Sequence, residues 1–154
     1  MTGRSGRRAA ADNGAATTRG GTRAGAAPDL VPLRITAVSA AAVLLAQPVW
    51  AGLFITGQVS YLGAHGGGAF VALLLVLCQL VAVLVLWRPG HGSPGPVLYS
   101  VAELGLVITQ MALGGARVLA VHIPLGVALI GTALLFARWA CSDRGARRRG
   151  RAAR

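Results

Sequence analysis

Four long apolar runs fill the chain between Ile35 and Ala137, separated by short polar or glycine-rich breaks. They predict helices over about 35–57, 67–87, 97–113 and 118–137, each near the roughly 20 residues that cross a hydrocarbon core of about 30 Å. The first break, 58–68, reads QVSYLGAHGGG and is expected to be a loop with the start of the second helix. The second, 89–96, reads PGHGSPGP, a strong helix breaker that carries His91. The third is only Gly114, Gly115, Ala116 and Arg117, which leaves room for nothing but a tight antiparallel hairpin. The pattern predicts an all-α, polytopic membrane protein: an up-down-up-down four-helix transmembrane bundle over 34–139.

The flanks are of a different kind. Residues 1–33 are rich in Arg, Ala and Gly and hold almost no large apolar side chain, so they are expected to be a disordered segment. Residues 140–154 form a basic tail of the same character. The first apolar run is longer than a signal-peptide core of about 7 to 15 residues and further runs follow it, which favours an uncleaved membrane helix.

Composition supports the membrane class, with 55% hydrophobic and 12% charged residues. The net charge of +11 would suggest nucleic acid if it formed a surface, but it lies almost wholly at the two ends. All 15 basic residues are Arg, a usage that looks like GC-rich coding bias, and no nucleic-acid partner is expected. Arg144, Arg147, Arg148, Arg149 and Arg151, just past the last helix, suit anionic lipid instead. Every Arg except Arg117 falls in the N-terminal segment, the loop with Arg88 or the tail, so both termini are expected in the cytoplasm and the chain in the inner (plasma) membrane as a multi-pass protein.

No phosphate-binding loop, metal-spaced Cys/His cluster or nucleophile motif is present, and nothing marks an enzyme. Cys78 and Cys141 fall at different depths and are expected to stay reduced, Cys78 as a small buried hydrophobe. The polar residues inside the apolar runs are therefore the informative ones. Gln47, beside Pro48, is expected to face inward with a kink that turns to protein. Gln79 and Gln110 are further polar intramembrane residues. Glu103, about two turns into the third helix, costs on the order of 2 to 3 kcal/mol unless paired or protonated. Either an interfacial ion pair with Arg34 or Arg88, or a proton or ligand role, accounts for it.

His65 and His122 open the second and fourth helices, and the topology puts both near the outer membrane surface at similar depth. Facing side chains across a four-helix core are where cofactors are commonly held, and two imidazoles suit the axial positions of a haem b iron. Gly66 to Gly68 and Gly126 would leave room for a flat ring, and Arg117 could pair with propionates. The alternative is a cofactor-free structural or accessory protein whose small residues serve packing against a partner protein or a second copy. Zinc is the weaker metal, since two His lack its further ligands.

The segment 110–131, QMALGGARVLAVHIPLGVALIG, resembles the Q-x-x-LG and H-x-x-LG pattern at the third-to-fourth helix junction of the haem A synthase family. That resemblance implies haem between paired His, with His65 and His122 at the axial positions. Leu62 stands where that family carries an acidic residue and Gly66 where it carries an Arg, so the resemblance does not extend to the oxidase chemistry. The stretch 47–139 is also similar to small bacterial four-helix integral membrane proteins that share Q-x-x-x-AG-x-F-x-x-G in helix one, a His opening helix two and ARxLAxHxPLG opening helix four. Ala116, Arg117, Leu119, Ala120, His122, Pro124, Leu125 and Gly126 match the last motif.

Overall fold

A computed structural model of the chain describes residues 30–87 and 93–142. They fold into four helices: α1 (Val31–Ile55), α2 (Tyr61–Trp87), α3 (Gly95–Gly115) and α4 (Leu119–Cys141). At a rise of 1.5 Å per residue these are about 31 to 41 Å long, enough for a hydrocarbon core of about 30 Å. All four are long and apolar enough to cross a membrane, the build of a multi-pass membrane protein.

The helices overrun the boundaries expected from the sequence. α1 starts at Val31, so residues 31–33 belong to the bundle; Pro32 sits in its first turn, where a missing N–H costs nothing. α2 starts at Tyr61 and not near 67, which puts His65 and Gly66 to Gly68 inside the helix. Glycine costs a helix about 1 kcal/mol in water. In apolar surroundings an unpaired N–H or C=O costs several kcal/mol, so the backbone keeps its own hydrogen bonds through the glycines. α3 begins at Gly95 with Pro94 as its cap residue, and α4 runs on to Cys141.

Two connections are tight. Residues 56–60 join α1 to α2 with Gly57 at φ 102°, a left-handed conformation natural to glycine. Residues 116–118 join α3 to α4, and there Arg117 holds φ 59°, which costs a residue with a Cβ about 1 kcal/mol.

The helices form a ring in which α1 packs on α2 and α4, and α3 on α2 and α4. Across the diagonal the backbones of α1 and α3 stay apart, as do those of α2 and α4. The Arg34 Nε donates to the Ala140 carbonyl at 3.2 Å, tying the start of α1 to the end of α4. The interior holds many small and polar side chains, Ala37, Ala40, Ala72 and Ala133 with Gln79, Ser100, Glu103 and Gln110, beside larger ones such as Leu33, Val76 and Phe136. Large apolar side chains such as Phe70, Val127 and Leu135 point outward, each more than 60% exposed. A water-soluble bundle has the opposite arrangement, and small residues inside with bulky apolar ones outside is how helices pack in lipid.

Two expectations about orientation are overturned. Pro48 lies inside α1 but faces outward, with only its neighbour Gln47 turned toward the interior. Cys78 is free as expected but lies exposed on the bundle surface, and so does Cys141. The N-terminal segment to Asp29, the loop residues Arg88 and His91, and the tail with Arg144 to Arg151 lie outside the described residues.

Candidate functional site

The three-residue turn after α3 brings the first turn of α4 back against the end of α3. His122 sits in that first turn, and its Nδ1 lies 3.1 Å from the backbone carbonyl of Gln110. A carbonyl only accepts, so Nδ1 carries the proton and Nε2 is left with a lone pair. The Gln110 side chain answers in the other direction, its Nε2 donating to the His122 carbonyl at 2.9 Å. Two glycines make this clasp possible. A Cβ on Gly114 would stand 3.0 Å from Cε1 of His122, and a Cβ on Gly126 would stand 2.7 Å from Nε2 of Gln110.

The same arrangement recurs between α1 and α2. The Gln47 amide turns its nitrogen to α2, where it donates to the His65 carbonyl at 3.0 Å, while its oxygen accepts from the Ala69 N–H at 3.2 Å. Nδ1 of His65 lies 3.2 Å from the Gln47 backbone carbonyl and 2.9 Å from the Gln47 amide nitrogen. One tautomer of His65 therefore donates to the carbonyl, as His122 does, and the other accepts from the amide. Gly68 stands where Gly126 stands in the other half: the position of its missing Cβ is already filled by the Gln47 amide and the Trp50 ring. Each half of the chain is thus a helical pair in which Gln and His hold one another and a glycine one turn on makes the room. Both halves of the chain run an apolar helix followed by a His-bearing one, and in space this is a repeat of hydrogen bonds.

His65 and His122 meet across the bundle, their ring centroids 6.2 Å apart with 72° between the planes. The α2 and α4 backbones stay apart, so the two imidazoles bridge the interior between them. Both are half-buried. The Oε1 atom of Gln110 is buried beside them with no hydrogen-bond partner, so the site holds an acceptor in need of a donor. Among the described residues no group of three or more His, Cys, Asp or Glu gathers, which leaves the imidazoles as a pair with no third ligand of those types.

Of the residues expected at a site, His65, His122, Gln47 and Gln110 come together. Arg117 lies exposed in the turn five residues before His122, off the interior. At Gly68 and Gly126 the space expected for a flat ring is already filled. The positions above Gly68 and Gly126 are occupied by Gln47, Trp50 and Gln110, and Gly66 and Gly67 face open surface. Trp50 and Gly114 are site residues that sequence reasoning missed. The available signal was their placement one turn from Gln47 and Gln110, on the helices that precede each His.

Glu103 belongs to a second polar cluster, two turns from Gln110 along α3, about 10 Å by helical rise. It is 2% exposed, and its Oε2 accepts from Nε2 of Gln79 at 2.6 Å. The same Gln79 nitrogen lies 3.4 Å from the fully buried Ser100 Oγ. Of the two ion pairs the sequence offered as one account of Glu103, the one with Arg34 is not formed, since Arg34 turns its guanidinium to the Ala140 carbonyl, and Arg88 lies outside the described residues. Comparison with protein families, with characterised proteins and with solved structures returns no match, so the reading of both clusters rests on their own geometry.

Proposed function

We propose that the chain is an up-down-up-down bundle of the plasma membrane, with both termini cytoplasmic and the His pair near the outer face, and that His65 and His122 hold one haem b iron for electron transfer or redox sensing. The observation that carries this is the 6.2 Å between the imidazole centroids. With metal–nitrogen bonds of about 2 Å and roughly 1.2 Å from ring centre to nitrogen, two imidazoles in line on one metal stand about 6.4 Å apart. A direct N–H···N hydrogen bond would bring the centroids to about 5.3 Å. The observed spacing is close to that of one atom between two rings, and it also lies within the range of about 4.5 to 7 Å for an ordinary edge-to-face pair.

The hydrogen bonds made by the two imidazoles support such a group. The Gln110 carbonyl fixes the His122 ring with its Nε2 lone pair available, the usual way a backbone carbonyl orients a metal-bound imidazole. The Gln47 carbonyl does the same for His65 in its Nδ1–H tautomer. Arg117, exposed in the turn before α4, would supply a cation for the carboxylates of such a group. The hydrogen bonds from late α1 to early α2 and from late α3 to early α4 support the antiparallel order, and the Arg distribution supports its orientation. If bound, a haem held by His65 and His122 would supply one-electron chemistry.

The absorption spectrum of the full-length protein, purified in detergent from haem-replete cells, tests this. The expected result is a Soret band and about one iron per chain, both lost in His65→Ala and His122→Ala. A colourless protein that also fails to take up added haemin overturns it.

A second reading draws on a specific observation. The spaces above Gly68 and Gly126 are filled by the chain's own Gln47, Trp50 and Gln110. Those side chains serve a cofactor-free structural or accessory protein equally well, its outward apolar faces packing against a membrane partner or a second copy. On that reading His65 and His122 tolerate replacement by Gln with no change in any visible spectrum.

A further inference from the structure

The inner half of the bundle carries a carboxyl group that the His pair does not use. Glu103 is 2% exposed, Gln79 donates to its Oε2 at 2.6 Å, and its Oε1 is buried with no hydrogen-bond partner. Among the described residues no cation answers it. Arg34 from α1 is spent on the Ala140 carbonyl, and Arg138 on α4 is exposed. Of the other titratable groups on the two helices packed against α3, Tyr61, His65 and His122 lie at the opposite end, and Cys78 and Cys141 face outward. On α3 itself the nearest is Tyr99, one turn back, with its hydroxyl buried. An anion left in such a place without a counter-charge neutralises itself by taking a proton. An ionisable group there is by default a functional one.

We propose that Glu103 is a reversible proton-binding site in the inner half of the bundle, with Gln79 fixing one carboxyl oxygen and Oε1 carrying the exchangeable proton. Proton and carboxylate on one side and the neutral acid on the other balance with no further reactant. The amide of Gln79, a neutral donor, serves both states: it donates to Oε2 whether the carboxyl is charged or not, so loading and unloading need no rearrangement of α2. The site does not depend on what the imidazoles hold.

The sequence itself makes the test selective, because Glu103 is the only glutamate in the chain, and the other acidic residues are Asp12, Asp29 and Asp143. Cell-free synthesis of the full chain with carboxyl-13C glutamate gives an infrared signal from one residue, with no substitution to disturb folding. The expected result in lipid nanodiscs is an isotope-shifted carboxylic acid band that moves in D2O and gives way reversibly to carboxylate bands as the pH is raised. Carboxylate bands alone at every pH overturn the proposal, and if they also respond to exchange of Na+ for K+ the site is a cation site instead. An acid band that neither exchanges nor titrates overturns it too, leaving Glu103 a static part of the packing.

Discussion

His122 and Gln110 hold each other by two hydrogen bonds that run in opposite directions, imidazole to backbone carbonyl at 3.1 Å and side-chain amide to backbone carbonyl at 2.9 Å. Such a pair fixes the ring in position and tautomer at once, and it joins α3 to α4 where their connection is shortest. In lipid it is also a packing device, because an interhelical hydrogen bond between polar groups contributes about 0.6 to 2 kcal/mol there. The clasp between Gln47 and His65 repeats it, so the bundle is stapled twice at the end that carries the imidazoles.

The glycines in these clasps are therefore sensitive to added volume. Gly126→Ala forces the Gln110 amide aside, and Gly68→Ala forces Trp50 and Gln47 aside. Each is expected to cost about 1 to 3 kcal/mol, the usual range for overpacking. Gly66→Ala and Gly67→Ala, with nothing within 4 Å of the added methyl, are expected to be neutral or slightly stabilising. Thermal unfolding in detergent of the four variants, followed by helical circular dichroism, distinguishes the two groups; equal behaviour would mean that the clasps are not as close as described.

Arg117 offers a test that separates strain from function. Because its φ of 59° suits glycine, Arg117→Gly should raise stability by about 0.5 to 1 kcal/mol. If Arg117 also meets acidic groups of a bound cofactor, the same substitution should weaken cofactor retention while the protein becomes harder to unfold. A fall in both stability and retention would instead make the Arg side chain part of the packing.

Gln79→Leu removes the donor that Glu103 has, and it does so inside the bundle. Leaving a buried carboxyl without that bond is expected to cost about 2 to 4 kcal/mol. Glu103→Gln combined with Gln79→Leu should recover part of the loss, since a neutral amide is less costly to strand than a carboxyl. Chemical unfolding of the single and double variants measures the coupling, and additive losses would show that the two side chains do not act on one another.

Sidedness is testable with single cysteines at Ser60, Ala116 and Ser93 in a background without Cys78 and Cys141. The expected pattern with a membrane-impermeant thiol reagent is labelling of the first two in intact cells or spheroplasts, and of the third only after lysis. Ser60 and Ala116 lie in the turns that precede His65 and His122, whose rings are neighbours. Opposite labelling of Ser60 and Ala116 would contradict that contact.

The sequence by itself determined the number of helices, their membrane class and the tight α3–α4 turn, because these depend on runs of apolar residues and on breakers whose effect is local. It also singled out His65, His122, Gln47, Gln110 and Glu103, since a polar side chain inside an apolar run stands out without any knowledge of its neighbours. What those residues touch was decided by the tertiary structure. That Gln47 faces His65 while Pro48 beside it faces outward depends on the rotation of α1 against α2, and a run apolar on every side carries no stripe to set that rotation. The helix starts moved for a related reason: Gly66 to Gly68 read as a loop in water, but helix formation there is set by the surroundings, which penalise every open backbone group. The fate of the space above Gly68 and Gly126, and of the Arg34 guanidinium, rested on which groups the other helices bring there. Contacts between residues 12 to 106 positions apart leave no mark on local pattern, and only packing decides them.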